Sequence, residues 1–126
     1  MTNLTTYKKV ELNGEERLLK FDYNSTCDLE DIYGKGIAAI LTEEQIGFKL
    51  VRAFYWAGLK WKMHGLTVEK VGQMLGKEIQ ENGKNVMELM EPVMDALKKS
   101  KLLSNGNEKA IDAEYEELPE GDEPKN

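Results

Sequence analysis

Residues Thr42–Gly65, TEEQIGFKLVRAFYWAGLKWKMHG, decide how the rest of the chain must fold. Thr42 followed three residues later by Gln45 has capping-box spacing, in which each side chain satisfies a free backbone N–H of the other. That pattern predicts a helix over about 43–63, ended by His64-Gly65. Ile46, Leu50, Phe54, Ala57 and Trp61 recur at steps of three and four. Val51, Tyr55 and Leu59 widen this stripe beyond a narrow seam, as a central helix touching several neighbours requires. The same stretch is unusual in charge. Arg52–Gly65 holds four of the ten aromatic residues and the single histidine, and Gln45–Val68 holds Lys49, Arg52, Lys60 and Lys62 with no acid.

Working outward toward the N-terminus, Asn13-Gly14 separates two strand-like runs in KKVELNGEERLLKF. Asn-Gly supplies the positive φ angles of a two-residue type I′ turn. Val10 and Leu12 alternate before it, and Leu19 and Phe21 after it, so a hairpin is expected at about 8–22. A lone hairpin is marginal and must lay its apolar face on helices. Asn24 or Ser25 can cap a short helix at about 26–33, with Leu29, Ile32 and Tyr33 on one face and Gly34 as its stop. Residues 37–41 read as an apolar connector with no assigned structure.

Toward the C-terminus, Thr67 can cap a helix at about 68–81 whose face is Val68, Val71, Leu75 and Ile79. Gly72 and Gly76 weaken it by about 1 kcal/mol each relative to alanine, a cost that close helix approach would explain. Asn85 with Glu88 opens the last helix, about 86–99, where Val86, Leu89, Met90, Val93, Met94 and Leu97 are periodic and Pro92 is expected to introduce a kink. From Ser104 onward there are eight acids and two lysines, which carry the whole formal charge of -6. That segment has too little apolar surface to offset ordering entropy and reads as disordered. The expected fold is therefore mainly α (α+β): an N-terminal β-hairpin on a bundle of about four helices in a single domain, residues 1–103, with an acidic tail at 104–126.

The chemistry in the chain is sparse. One cysteine, Cys27, and one histidine, His64, leave no ligand set for structural zinc. His64 falls at a helix end, where the dipole favours it, with no nearby acid in sequence. No phosphate-cradling glycine pattern follows a strand, and the carboxylate pairs Glu30-Asp31 and Glu43-Glu44 suit helix starts and solvated surface. No enzyme, metal or cofactor is expected. A nucleic-acid role is disfavoured because the candidate recognition helix carries Glu88, Glu91 and Asp95, where phosphates would lie. No apolar run approaches the ~18–20 residues needed to span a bilayer, and the N-terminus lacks a signal peptide's apolar stretch, so the cytoplasm is expected.

Protein-partner binding remains. With Phe54 and Trp61 assigned mainly to the core, Trp56 and Lys60 project from another face. Met74, Met87, Met90 and Met94 are either ordinary core residues or the lining of an adaptable groove, since methionine suits surfaces that accept varied apolar sequences. The candidate partner residues are Tyr55, Trp56, Met87, Met90 and Met94.

The order LNGEERLLKFDYNSTCDLEDIYGKG, FKLVRAFYWAGLKW, LTVEKVGQML and MELMEPVMDALKKS resembles the tail assembly chaperones of long-tailed bacteriophages and prophages. The resemblance spans about Val10–Ser100 and rests on element order and scattered apolar, glycine and aromatic positions. It implies a non-enzymatic role in which the chain binds and solubilises the tape-measure protein, helps recruit the major tail tube protein, and is absent from the finished virion. Self-association is a further partner reading. The rival classes are a small helical DNA-binding regulator and a structural head or tail completion protein.

Overall fold

A computed structural model of the chain describes residues 6–103. The acidic tail expected at 104–126 lies outside the described residues. Strands β1 (Tyr7–Leu12) and β2 (Glu15–Lys20) form an antiparallel hairpin, followed by helices α1 (Tyr23–Tyr33), α2 (Ile37–Glu43), α3 (Phe48–Leu59), α4 (Val68–Gln80) and α5 (Val86–Ser100). The hairpin register pairs Leu12 with Glu15 and Tyr7 with Lys20. Asn13 (φ 55°) and Gly14 (φ 80°) provide the left-handed pair that a two-residue turn demands.

Eight of the twelve residues of α3 are buried, because this helix is surrounded. It packs against β2, α1, α4 and α5, while the hairpin also lies along α5. Leu12, Leu19 and Phe21 point from the hairpin into the same core as Leu50, Phe54 and Leu59. Gly58 makes this approach possible: a Cβ there would sit 2.8 Å from Leu19 Cδ2 and 3.0 Å from Phe21 Cζ. Phe21 and Phe54 meet edge-on with ring centroids 6.2 Å apart, the offset geometry that aromatic quadrupoles favour.

The long helix expected over 43–63 is shorter at both ends: only Phe48–Leu59 is helical, Glu43 closes α2, and 60–63 are turn and bend. Thr42 does not cap anything; its Oγ1 bonds back to the Ala38 carbonyl at 3.0 Å, inside the last turn of α2. Glu44 and Gly47 are extended, and α3 starts only at Phe48. The apolar residues 37–41 are therefore helical, giving five helices instead of about four. The cap of α2 comes from a distance: Glu30 Oε2 accepts the Ile37 N–H at 2.8 Å. Likewise α1 begins earlier than expected, because Asp22 caps it and Ser25 completes the box as its reciprocal partner. Thr67 and Asn85 cap α4 and α5 as their sequences predict, and the Asn85–Glu88 capping box is complete. Helix α5 continues on both sides of Pro92.

One buried carboxylate ties the hairpin turn to α4. Glu78 is 2% exposed, and its Oε2 accepts the Asn13 backbone N–H at 2.6 Å and the Asn13 Nδ2–H at 3.2 Å. Lys84 Nζ lies 3.4 Å from the other oxygen. Burial alone would raise its pKa, but the hydrogen bonds from Asn13, Asn82 and Lys84 outweigh it and hold the group below the ordinary glutamate value.

Candidate functional site

The rings and cations of Arg52–Gly65 are largely engaged with the protein itself. Trp56 Nε1–H donates to the Leu66 carbonyl at 3.0 Å, and Lys60 Nζ sits 4.6 Å from the centroid of the same indole. Lys60 also pairs with Asp28 of α1. Trp61, half-buried past the end of α3, donates to the Leu18 carbonyl at 3.0 Å and stacks on Tyr7, with Lys20 Nζ 4.8 Å from its ring. Trp56 thus ties the Leu66 loop to α3 and Trp61 ties the turn after α3 to β2, and the cation contacts add modest stabilisation to half-buried rings.

Burial divides the five candidate partner residues. Tyr55, Met90 and Met94 are core residues, with 0%, 1% and 0% exposure, so they are withdrawn as a partner surface. The reason is packing: α3 and α5 face each other, and the Tyr55 hydroxyl donates to the Leu89 carbonyl at 2.6 Å across that interface. Burial, with Glu78 adding a smaller effect, pushes the Tyr55 hydroxyl pKa far up, so it stays a donor. Trp56 is half-buried and its N–H is already used. Met87 alone is open, half-exposed at the start of α5. The five do not form one surface.

A different surface does come together. Between α3 and α4 lies a groove of about 340 Å³, lined also by Val86 and Leu89 of α5. From α3 it is lined by Phe48, Lys49, Val51 and Arg52; from α4 by Gly72, Leu75, Gly76, Ile79 and Gln80. Val51, Leu75 and Leu89 form a buried floor, whereas Phe48 stands at the edge with 72% of its surface exposed. A ring so exposed contributes little to folding; what marks it is the apolar groove it borders.

The glycines of α4 explain the opening. A Cβ on Gly76 would meet only Gln80 Oε1 of its own helix at 3.9 Å, and one on Gly72 only Arg52, no closer than 3.4 Å. Neither glycine is needed for close helix approach, contrary to what the sequence suggested. Their intrinsic cost of about 1 kcal/mol each is not offset by packing among the described residues; what they provide there is room in the groove.

The electrostatics of the groove have one sign. Lys49 and Arg52 are its only charged lining groups, and neither forms an ion pair among the described residues. Helix α3 begins at the same place with no side-chain cap and no acid in its first turn, so its positive dipole end is uncompensated. An apolar cleft between helices with cations on its rim suits an amphipathic helix with acidic flanks. The sequence singles out Arg52 as part of a basic stretch but not Phe48, Gly72 or Gly76, because 43–63 reads as one helix and the glycines read as a helix contact. The spacing of the two glycines, four residues apart on one face, was the available signal.

Among the described residues no group of three or more His, Cys, Asp or Glu side chains could hold a metal ion. Nor, among them, is any helix long and apolar enough to cross a membrane. No family model, no curated protein and no solved structure matches the chain.

Proposed function

We propose that the chain is an assembly chaperone of a long-tailed bacteriophage or prophage, which holds helical segments of the tape-measure protein and helps recruit the major tail tube protein around them. The observation that carries this reading is the open apolar groove between α3 and α4, with an exposed phenylalanine at its edge and two glycines in its wall. A groove of this size takes the anchoring side chains of a turn or two of helix, the i, i+3, i+4 pattern of helix-in-groove recognition. Glycine walls set few shape demands, so many apolar sequences fit, as a holdase for a long helical chain requires. The resemblance in element order supplies the identity of that chain, and the site of action is then the host cytoplasm before the virion is complete.

This role asks for no catalytic residue and no cofactor. DNA binding is the weaker reading, because Glu88 and Glu91 lie exposed along α5 and would meet phosphate unfavourably. Co-expression with the tape-measure protein tests the proposal. The tape-measure chain is expected to become soluble only when this chain is present and to co-purify with it. A tape-measure chain that stays insoluble, or this chain appearing as a component of purified virions, would overturn the reading.

A further inference from the structure

We propose that the acidic segment EKAIDAEYEEL, residues 108–118 of this same chain, occupies the α3–α4 groove when no partner does, so that a partner must displace it. The inference rests on the groove being a helix-binding site. Ile111, Tyr115 and Leu118 fall four and three residues apart, the spacing of one helical face, and Asp112, Glu114, Glu116 and Glu117 fall between them. The groove offers the complement: an apolar floor, Lys49 and Arg52, which form no ion pair among the described residues, and the uncapped start of α3.

Reach permits the contact. The described chain ends at Leu103, past the C-terminal end of α5, while Val86 at the other end of α5 borders the groove. The fifteen residues of α5 span about 22 Å. Residues 104–110 extend to about 24 Å, enough to bring Ile111 to the groove. A smaller cleft lies closer to the exit, bounded by Tyr23, Cys27, Glu30 and Leu102. Its one charged lining group is Glu30, which repels an acidic segment. Charge therefore selects the more distant groove.

Two consequences follow for a chaperone. Without its client, the segment shields Phe48 and the apolar floor from water and from aggregation. With its client, the same carboxylates are released into solvent, where net charge keeps the loaded complex dispersed. Partner affinity is reduced by the fraction of grooves that the segment fills.

Amide NMR on the full-length chain, without any partner, tests this. The triple variant Ile111→Ser, Tyr115→Ser, Leu118→Ser removes the apolar anchors and leaves the residues of the folded body unchanged. The Phe48, Gly72 and Gly76 amide resonances are expected to shift between wild type and variant, and added peptide of sequence 108–118 is expected to shift them back. Raising salt should move the wild-type spectrum toward that of the variant, because the attraction is partly ionic. Unchanged Gly72 and Gly76 resonances would overturn the proposal. So would shifts centred on Tyr23 and Leu102, or shifts that grow with protein concentration, which would place the segment on a second copy. None of these outcomes touches the groove reading, which stands or falls on partner binding.

Discussion

Three glycine-to-alanine substitutions on two helices should move stability in opposite directions. Gly58 is in contact: a Cβ added there lies 2.8 Å from Leu19 Cδ2 and 3.0 Å from Phe21 Cζ, and both side chains are pinned, at 0% and 2% exposure. Carbon atoms at rest sit about 3.5–4.0 Å apart, so the Leu19 and Phe21 side chains must shift within a packed core. Overpacking of this kind costs about 1–3 kcal/mol, against a helix-propensity gain of about 1 kcal/mol. The net expectation for Gly58→Ala is a loss of about 1 kcal/mol. Gly76 meets only Gln80 Oε1 at 3.9 Å, so Gly76→Ala keeps the whole propensity gain of about 1 kcal/mol. Gly72→Ala behaves similarly, since its nearest contact is the flexible Arg52 side chain at 3.4 Å. For a domain of this size 1 kcal/mol corresponds to about 4–8 °C in Tm. Thermal and urea unfolding followed by circular dichroism should therefore separate Gly76→Ala from Gly58→Ala by roughly 10 °C. Gly58→Ala matching Gly76→Ala in stability would refute the packing argument. A destabilised Gly76→Ala would show that the α4 glycines are held by contacts within the chain and not by the groove.

Other substitutions probe the supports of the site. Glu78→Gln weakens the clamp on the hairpin turn and should cost about 1–3 kcal/mol, as for hydrogen bonds to a buried charge. Because the folded state holds the Glu78 pKa below its unfolded value, its contribution is present above the ordinary glutamate range near ~4.3 and is lost as pH falls through the lower, folded value. The variant should therefore lose part of the wild-type slope of stability with pH in acid, read from urea midpoints between about pH 3 and 7. Tyr55→Phe removes the α3–α5 hydrogen bond to Leu89 and should lower stability by about 1 kcal/mol in the same denaturation assay. Lys101 closes α5 in a left-handed conformation at φ 61°, so Lys101→Gly should raise stability by about 1 kcal/mol by removing the Cβ penalty.

Much of the fold is legible in the chain where a signal is local. Asn13-Gly14 specifies the turn by itself, and Thr67 and Asn85 each cap the helix that follows because their partners lie three residues away. The break between α2 and α3 is not legible in that way. The cap of α2 is Glu30 on another helix, and Gly47 reads as a tolerated helix residue until the chain is seen to extend through it. The candidate site suffers from the same gap. Periodicity places Met90 and Met94 on an apolar face but does not say whether that face meets solvent or α3, and it meets α3. Trp56 and Trp61 look available because a sequence does not show that the Leu66 and Leu18 carbonyls accept their N–H groups. Phe48, an exposed ring beside two uncrowded glycines, becomes visible only once two helices are placed together.

If the groove between α3 and α4 holds the partner helix, changes to its lining must weaken binding. Binding of a purified tape-measure fragment, measured by titration calorimetry, tests it on three full-length variants. Phe48→Ser removes the exposed ring at the edge, Gly76→Leu fills the groove from its wall, and Ile32→Ser changes another exposed apolar residue, on α1 and away from the groove. Phe48 and Ile32 are exposed and a Cβ on Gly76 meets nothing closer than 3.9 Å, so each variant should stay folded, with changes in stability near or below about 1 kcal/mol. Phe48→Ser and Gly76→Leu are each expected to weaken binding at least tenfold, about 1.4 kcal/mol, while Ile32→Ser binds as wild type does. Full binding by Gly76→Leu, or a loss confined to Ile32→Ser, would contradict it.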